Sequence, residues 1–123
     1  MSNDRWVCLT EATFDGGQLV VHYDAQWGEA AEPDTDGSYH LHLYGSDGVD
    51  PPADVQGTHA DGGHWQVEDA PSPLTYAADH PLVAEIIGDH PMVCARIAGP
   101  NDHLVESGPG EYDTGNCATI RRP

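Results

Sequence analysis

The stretch "RWVCLTEATFDGGQLVVHYDA", residues 5–25, consists of two runs of alternating character joined by Asp15-Gly16-Gly17. In the second run Leu19, Val21 and Tyr23 fall on one side, and Val20, His22 and Asp24 on the other. That is the period of two by which successive side chains of a strand point to opposite faces. The Asp-Gly-Gly between the runs is turn chemistry, because glycine reaches positive φ without steric cost.

The same signature recurs along the chain, in "SYHLHLYG" (38–45), "HWQVED" (64–69), "PLVAEII" (81–87), "PMVCARIA" (91–98) and "CATIRR" (117–122). Asp36-Gly37, Asp47-Gly48, Gly62-Gly63 and Gly108-Pro109-Gly110 punctuate them. No segment of helical length carries a 3.6-residue apolar period. The expected fold is therefore all-β: a small antiparallel β-sandwich, of which an immunoglobulin-like topology is one form, with a small β-barrel as the alternative. Leu19, Val21, Tyr23, Leu41, Leu43, Val93, Ile97 and Ile120 share the apolar faces and are the expected core, with Trp6 and Trp65 capping it.

Residues 79–99, "DHPLVAEIIGDHPMVCARIAG", contain Asp-His-Pro twice, each time ahead of an apolar run and a glycine. Proline lacks the N–H of a ladder but is tolerated at the first residue of a strand. Both triplets are read as strand-starting devices, with Gly88-Asp89-His90-Pro91 as a hairpin connection.

The 123 residues are one domain's worth, able to bury about 65% of the unfolded chain's surface. Residues 1–123 are read as a single β domain, with a long Pro/Gly/Asp-rich loop region at about 45–80 broken only by the run at 64–69. Irregular connections of that length are functional or clamped by a neighbour, so the region is expected to be a contact surface.

The charge balance is extreme. There are 21 Asp and Glu against four basic residues, all arginine, for a formal net charge of −17. Self-repulsion on this scale becomes tolerable when salt shortens the Debye length to about 3 Å at 1 M. A halophilic host accounts for it, or a GC-rich actinobacterial genome. Such a surface repels nucleic acid, so no direct nucleic-acid partner is expected. No apolar run approaches the roughly 20 residues of a membrane span, and the chain is read as a soluble protein without a membrane partner.

Several groups could carry chemistry. On a strand, His40, His42 and Tyr44 share one face. If that strand paired with residues 18–25 around the acidic loop between them, His22 would join the two histidines, three imidazoles with an open fourth position being a catalytic zinc arrangement. The alternative is a solvent-facing strip of polar strand residues, and this is the preferred reading, with no metal or other cofactor expected. "EPDTDG" (32–37) opens like a calcium loop, but the twelfth position, where a glutamate is needed, is Leu43, so an acidic turn is expected. No nucleophile elbow, catalytic-cysteine signature or phosphate-cradling glycine loop is present. Cys8, Cys94 and Cys117 allow at most one internal bridge, and Cys94 in mid-strand reads as a small core side chain.

Arg5, Arg121 and Arg122 lie near the ends of the chain and are the expected assembly contacts, since a cation suits the acidic surface of a neighbouring copy. The function expected from these features is a non-enzymatic structural protein of a larger assembly. Its form would be a virion component (capsid decoration, turret or tail protein) of a virus of a halophilic or actinobacterial host. The partners would be other copies of the chain and neighbouring structural proteins, and the location the virion, with the cytoplasm as alternative. Two further readings are an acidic nucleic-acid mimic that inhibits a DNA-binding enzyme, and a small metalloenzyme using His22, His40 and His42.

Overall fold

A computed structural model of the chain describes residues 5–27, 39–46, 66–99, 105 and 114–122. They form strands β1 (Arg5–Asp15), β2 (Gln18–Trp27), β3 (His40–Ser46), β4 (Gln66–Glu68), β5 (Leu74–Ala77), β6 (Met92–Ala98) and β7 (Asn116–Arg121). The protein is all-β, a single curled sheet in the order β4-β3-β6-β7-β1-β2-β5. The two edge strands, β4 and β5, are consecutive in the chain, and the link between them, 69–73, can reach no further than about 20 Å. The sheet therefore curls into a half-barrel whose edges face each other. One expectation is corrected: the sheet is mixed, because β1 and β7 run parallel while every other pair is antiparallel.

The β1–β2 hairpin forms around Gly16 and Gly17, whose φ values of 63° and 83° explain two consecutive glycines. In β1 the strict alternation is broken by a β-bulge between Leu9 and Glu11. The inward column runs Val7, Leu9 and then Ala12, Phe14, and the register matches it against Ala25, Tyr23, Val21 and Leu19 of β2. The bulge resets the phase, so that both halves of an eleven-residue strand face one core. All eight expected core residues are buried. Trp6 is only half-buried and lies off the core, because its parity turns it outward opposite Gln26; Trp27, opposite Arg5, packs against the core instead. Trp65 lies outside the described residues.

The two Asp-His-Pro triplets behave differently. Pro91 precedes a strand, as expected, but Pro81 takes up helical φ/ψ of −52° and −34° and starts a single π-helical turn, Leu82–Ile87. The expected strand at 81–87 and its hairpin are thus not formed. The reason lies in burial: Leu82, Val83 and Ile87 reach the core while Ala84 and Glu85 are exposed, a helical spacing. His80 holds the start, its Nδ1 accepting from the Leu82 N–H at 3.0 Å, and Gly88 N–H closes the turn onto the Val83 carbonyl at 3.1 Å. The turn lies close against β3, where a Cβ on Gly45 would come within 2.9 Å of the Ile87 Cα.

Within the expected loop at 45–80, residues 74–77 form β5, with Leu74 and Tyr76 buried and Thr75 and Ala77 exposed. Pro71 and Pro73 on its flank disguise this short strand; the Ser72–Pro73 bond is cis.

The parallel β1–β7 seam has only two paired positions, Ala12 with Ile120 and Thr13 with Arg121. Beyond them the side chain of Asn116 replaces a ladder residue: its Oδ1 accepts from the Leu9 N–H at 2.6 Å and its Nδ2 donates to the Leu9 carbonyl at 3.1 Å. Thr114, fully buried, continues the tie, its carbonyl accepting from Val7 N–H and its Oγ1 from Ile97 N–H. Asn116→Leu keeps the size and removes both bonds to Leu9. Two poorly solvated backbone groups at about 1–3 kcal/mol each predict a loss of about 2–6 kcal/mol, read from urea unfolding. A loss below about 0.5 kcal/mol would mean that the amide does not bridge the seam.

Cys94 and Cys117 sit directly opposite each other across β6–β7 and form a disulfide, the one internal bridge that three cysteines allow, so Cys94 is buried as half of that bridge. Cys8 is the free cysteine, half-buried on β1.

Candidate functional site

β3 is a central strand between β4 and β6, and it is buried on both faces. Its odd residues, Leu41 and Leu43, enter the main core. Its even residues, His40, His42 and Tyr44, are only 0%, 2% and 4% exposed. Across the ladder they face Ala98, Arg96 and Cys94. The second face is thus a polar layer of two imidazoles, a phenol and a guanidinium beside a disulfide. Arg96 Nε donates to the Tyr44 hydroxyl at 2.9 Å, and the two imidazole rings are tilted at 43° with centroids 5.3 Å apart. The solvent-facing histidine strip is therefore corrected: the alternation puts these residues on one face, and burial of that face puts them inside.

His22 does not join them. It is exposed on β2, opposite Glu11 of β1, and β6, β7 and β1 lie between β2 and β3 in the sheet. The pairing of residues 18–25 with 38–45, on which the three-histidine centre depended, is not formed, because β2 takes β1 and β5 as its neighbours. Among the described residues no group of three or more His, Cys, Asp or Glu side chains is placed to hold a metal ion. The "EPDTDG" turn lies outside the described residues.

A second polar group joins the facing edges of the half-barrel. Glu68 of β4 accepts from the Tyr76 hydroxyl of β5 at 2.6 Å through Oε1, and through Oε2 from the N–H groups of Asp69 and Ala70. Tyr23 of β2 donates its hydroxyl to the Ala70 carbonyl, and its N–H to Ser72 Oγ at 2.9 Å. The His80 ring lies 4.9 Å from that of Tyr76. Burial pushes the Tyr76 hydroxyl far above the ordinary tyrosine range, helped by its bond to Glu68 and by that carboxylate's charge. Tyr23 moves the same way, first by burial and then by the charges of Glu68 and Asp69.

A hydroxyl whose pKa is higher in the folded than in the unfolded state binds more protons when folded at alkaline pH. Its contribution is therefore complete below about pH 10, the unfolded value, and is lost as pH rises beyond it. Each of the two tyrosines is expected to remove up to about 1.4 kcal/mol of stability per pH unit above pH 10. Tyr76→Phe should reduce that alkaline slope by up to about 1.4 kcal/mol per pH unit in urea titrations between about pH 9 and 11.5. An unchanged slope would show that Tyr76 ionises freely.

The three terminal arginines fold back on their own chain. The Arg5 guanidinium lies 3.9 Å from the ring centroid of Tyr39, and that of Arg122 lies 4.7 Å from the centroid of Phe14. Arg121 reaches Glu11 at 3.9 Å with both side chains open to solvent, a contact worth little by itself. Arg121 and Arg122 are nonetheless exposed, whereas Arg5 is half-buried.

Sequence reading missed the Arg96–Tyr44 and Glu68–Tyr76 pairs. The first was signalled by parity, since Arg96 and Tyr44 fall on the non-core positions of their strands. The second carried no local signal, because it joins the two edges of the sheet. The chain matches no protein-family model, no curated protein and no solved structure.

Proposed function

We propose that this chain is a non-enzymatic structural component of a larger, repetitive assembly. The observation that carries this reading is how the polar side chains are used: Asn116, Thr114, Tyr23, Tyr76 and Glu68 bond backbone or side-chain groups of other strands or of the 69–73 link and tie the half-barrel together. A disulfide adds a covalent tie between β6 and β7. This is the construction of a durable shell around a small core. On the outer side, β7, β1, β2 and β5 place Arg121, Thr13, Val20 and Thr75 side by side in one row, with Arg121 and Thr75 exposed and Thr13 and Val20 half-buried.

The narrower form of the proposal is a virion component, on capsid or tail, of a virus whose host is halophilic or actinobacterial. Disulfides persist in oxidising settings, among them virion surfaces, and this favours the particle over the cytoplasmic alternative. A domain of net charge −17 gains from neighbours that bind only its folded form, because each such contact adds stability by mass action. Exposed Arg121 and Arg122 are the cations it offers to an acidic copy of itself or to an adjoining structural protein.

Thermal unfolding should move to higher temperature between low and molar sodium chloride, as screening relieves carboxylate repulsion. A flat or falling midpoint would remove the salt-adapted part of the proposal. Sedimentation in molar salt and detection of the chain in purified particles test the assembly itself. A protein that stays monomeric and is missing from every particle fraction of its source would refute it.

A further inference from the structure

All three cysteines of the chain lie on one face of three strands that are neighbours in the sheet, β6, β7 and β1. Val93, Ala95 and Ile97 of β6, Ala118 and Ile120 of β7, and Val7 and Leu9 of β1 face the core. Cys94, Cys117 and Cys8 alternate with them and so share the opposite, outer face. Cys8 and Cys117 are half-buried there, and Cys94 is fully buried.

The register brings the free thiol beside the bridge. At one end of the β1–β7 seam the Val7 N–H bonds the Thr114 carbonyl, and at the other Ala12 pairs with Ile120. Both ends give the same register, in which Cys8 stands beside Asn116 and one residue short of Cys117. With strands about 4.8 Å apart and a rise of about 3.3 Å per residue, this places the Cys8 and Cys117 Cα atoms about 6 Å apart, within the roughly 4.4–6.8 Å that a disulfide spans. Cys8 Sγ lies 3.9 Å from the Leu9 carbonyl oxygen, which also accepts from Asn116 Nδ2 at 3.1 Å, so the thiol leans toward β7.

We propose that Cys8 is the attacking thiol of an internal disulfide exchange that moves the bridge from Cys94–Cys117 to Cys8–Cys117. Cys8 gives its proton to solvent and its thiolate attacks Cys117 Sγ; the Cys94–Cys117 bond breaks as the new bond forms, and Cys94 departs as a thiolate and takes up a proton. One disulfide and one thiol are present before and after, so no oxidant is consumed. Strand order favours the step: β7 lies between β1 and β6, so the attack on Cys117 comes from the side opposite to the departing sulfur, as an in-line displacement requires. The layer around Cys94 suits a departing anion. Tyr44 stands opposite it, and Arg96, two residues on and on the same face, donates through Nε to that tyrosine. A cation close to a sulfur favours its thiolate form. The exchange moves the covalent tie from the β6–β7 pair, with four paired positions, to the β1–β7 seam, with two, and joins the first strand to the last. It is internal to one chain and stands or falls independently of the assembly reading.

The test uses the full chain. Cys94→Ala and Cys117→Ala variants are purified reduced and oxidised with glutathione disulfide, and their bridges are mapped by mass spectrometry after an acid quench. Cys94→Ala should close a Cys8–Cys117 bridge at least about tenfold faster than Cys117→Ala closes Cys8–Cys94, because β7 separates the latter pair. The unreduced parent guards against variants that fail to fold. Held folded at about pH 8.5, it should accumulate the Cys8–Cys117 bridge with time, whereas a Cys8–Cys94 bridge should appear only when urea unfolds the chain. Equal rates of closure in the two variants would overturn the proposal. So would a parent that keeps the Cys94–Cys117 bridge alone at all times, or one that forms both new bridges in equal amounts without urea.

Discussion

Gly115→Ala is expected to cost the domain about 3 kcal/mol or more, enough to leave much of the protein unfolded at moderate temperature. Gly115 is buried at the start of β7, where the backbone lies against β6. A Cβ there would overlap the carbonyl oxygen of Ala95, with the Ala95 carbonyl carbon at 2.7 Å and the Arg96 Cα at 3.1 Å. All three are backbone atoms of a central strand, so no side chain can rotate out of the way. Relief requires the start of β7 to lift from β6. That movement would break the Ala95–Asn116 pairing and pull on Thr114 and Asn116, which tie β7 to β1 and β6. Urea unfolding of Gly115→Ala beside Gly17→Ala separates crowding from backbone strain. Gly17 has φ of 83° with nothing within 4 Å of an added Cβ, so its replacement should cost only about 1–2 kcal/mol. Equal losses for the two variants would refute the close approach of β7 to β6.

Loss of the Cys94–Cys117 disulfide is expected to lower stability by about 3 kcal/mol. The bridge joins residues 23 apart in sequence, and cross-linking a loop of that size restricts the unfolded chain by about this amount in the loop-entropy account. Cys117→Ala, or the parent protein unfolded in reductant, should show the loss, while Cys8→Ser should leave stability within about 0.5 kcal/mol. Cys94 is fully buried, so reduction of the folded protein should be slow until the domain opens. A Cys117→Ala variant as stable as its parent, or three free thiols counted in the unreduced protein where the bridge leaves one, would show that the bridge contributes nothing.

Local alternation carried most of the architecture. Leu19, Val21, Tyr23, Leu41, Leu43, Val93, Ile97 and Ile120 are buried because parity within a strand is a property of the strand itself, legible wherever one face is apolar. Parity failed where it is interrupted. The bulge after Leu9 shifts the phase of β1 by one residue, so that Trp6 lies off the core although Ala12 and Phe14, of the same even numbering, face it. It failed again at Leu82–Ile87, where a short apolar run fits a strand or a helical turn equally well. What decides there is that Leu82, Val83 and Ile87 must all reach the core at once while the chain crosses from β5 to β6.

The sequence by itself determined that the protein is built of short strands, which residues fill its core, that Asp15-Gly16-Gly17 turns the first hairpin, and that its surface is overwhelmingly acidic. These follow from periodicity, glycine geometry and composition, each of which acts over a few residues or over the whole chain without regard to pairing. Only the tertiary structure decided which strands are neighbours. Strand order is set by contacts between residues as far apart as Leu9 and Asn116, and no local pattern records them. That order separates His22 from His40 and His42, buries the latter two on a strand with neighbours on both sides, brings Glu68 to Tyr76 across the open edges, and sets Arg5 on Tyr39 at the mouth. The chemistry of a side chain is written in its own residue, but its availability depends on what the rest of the chain packs against it.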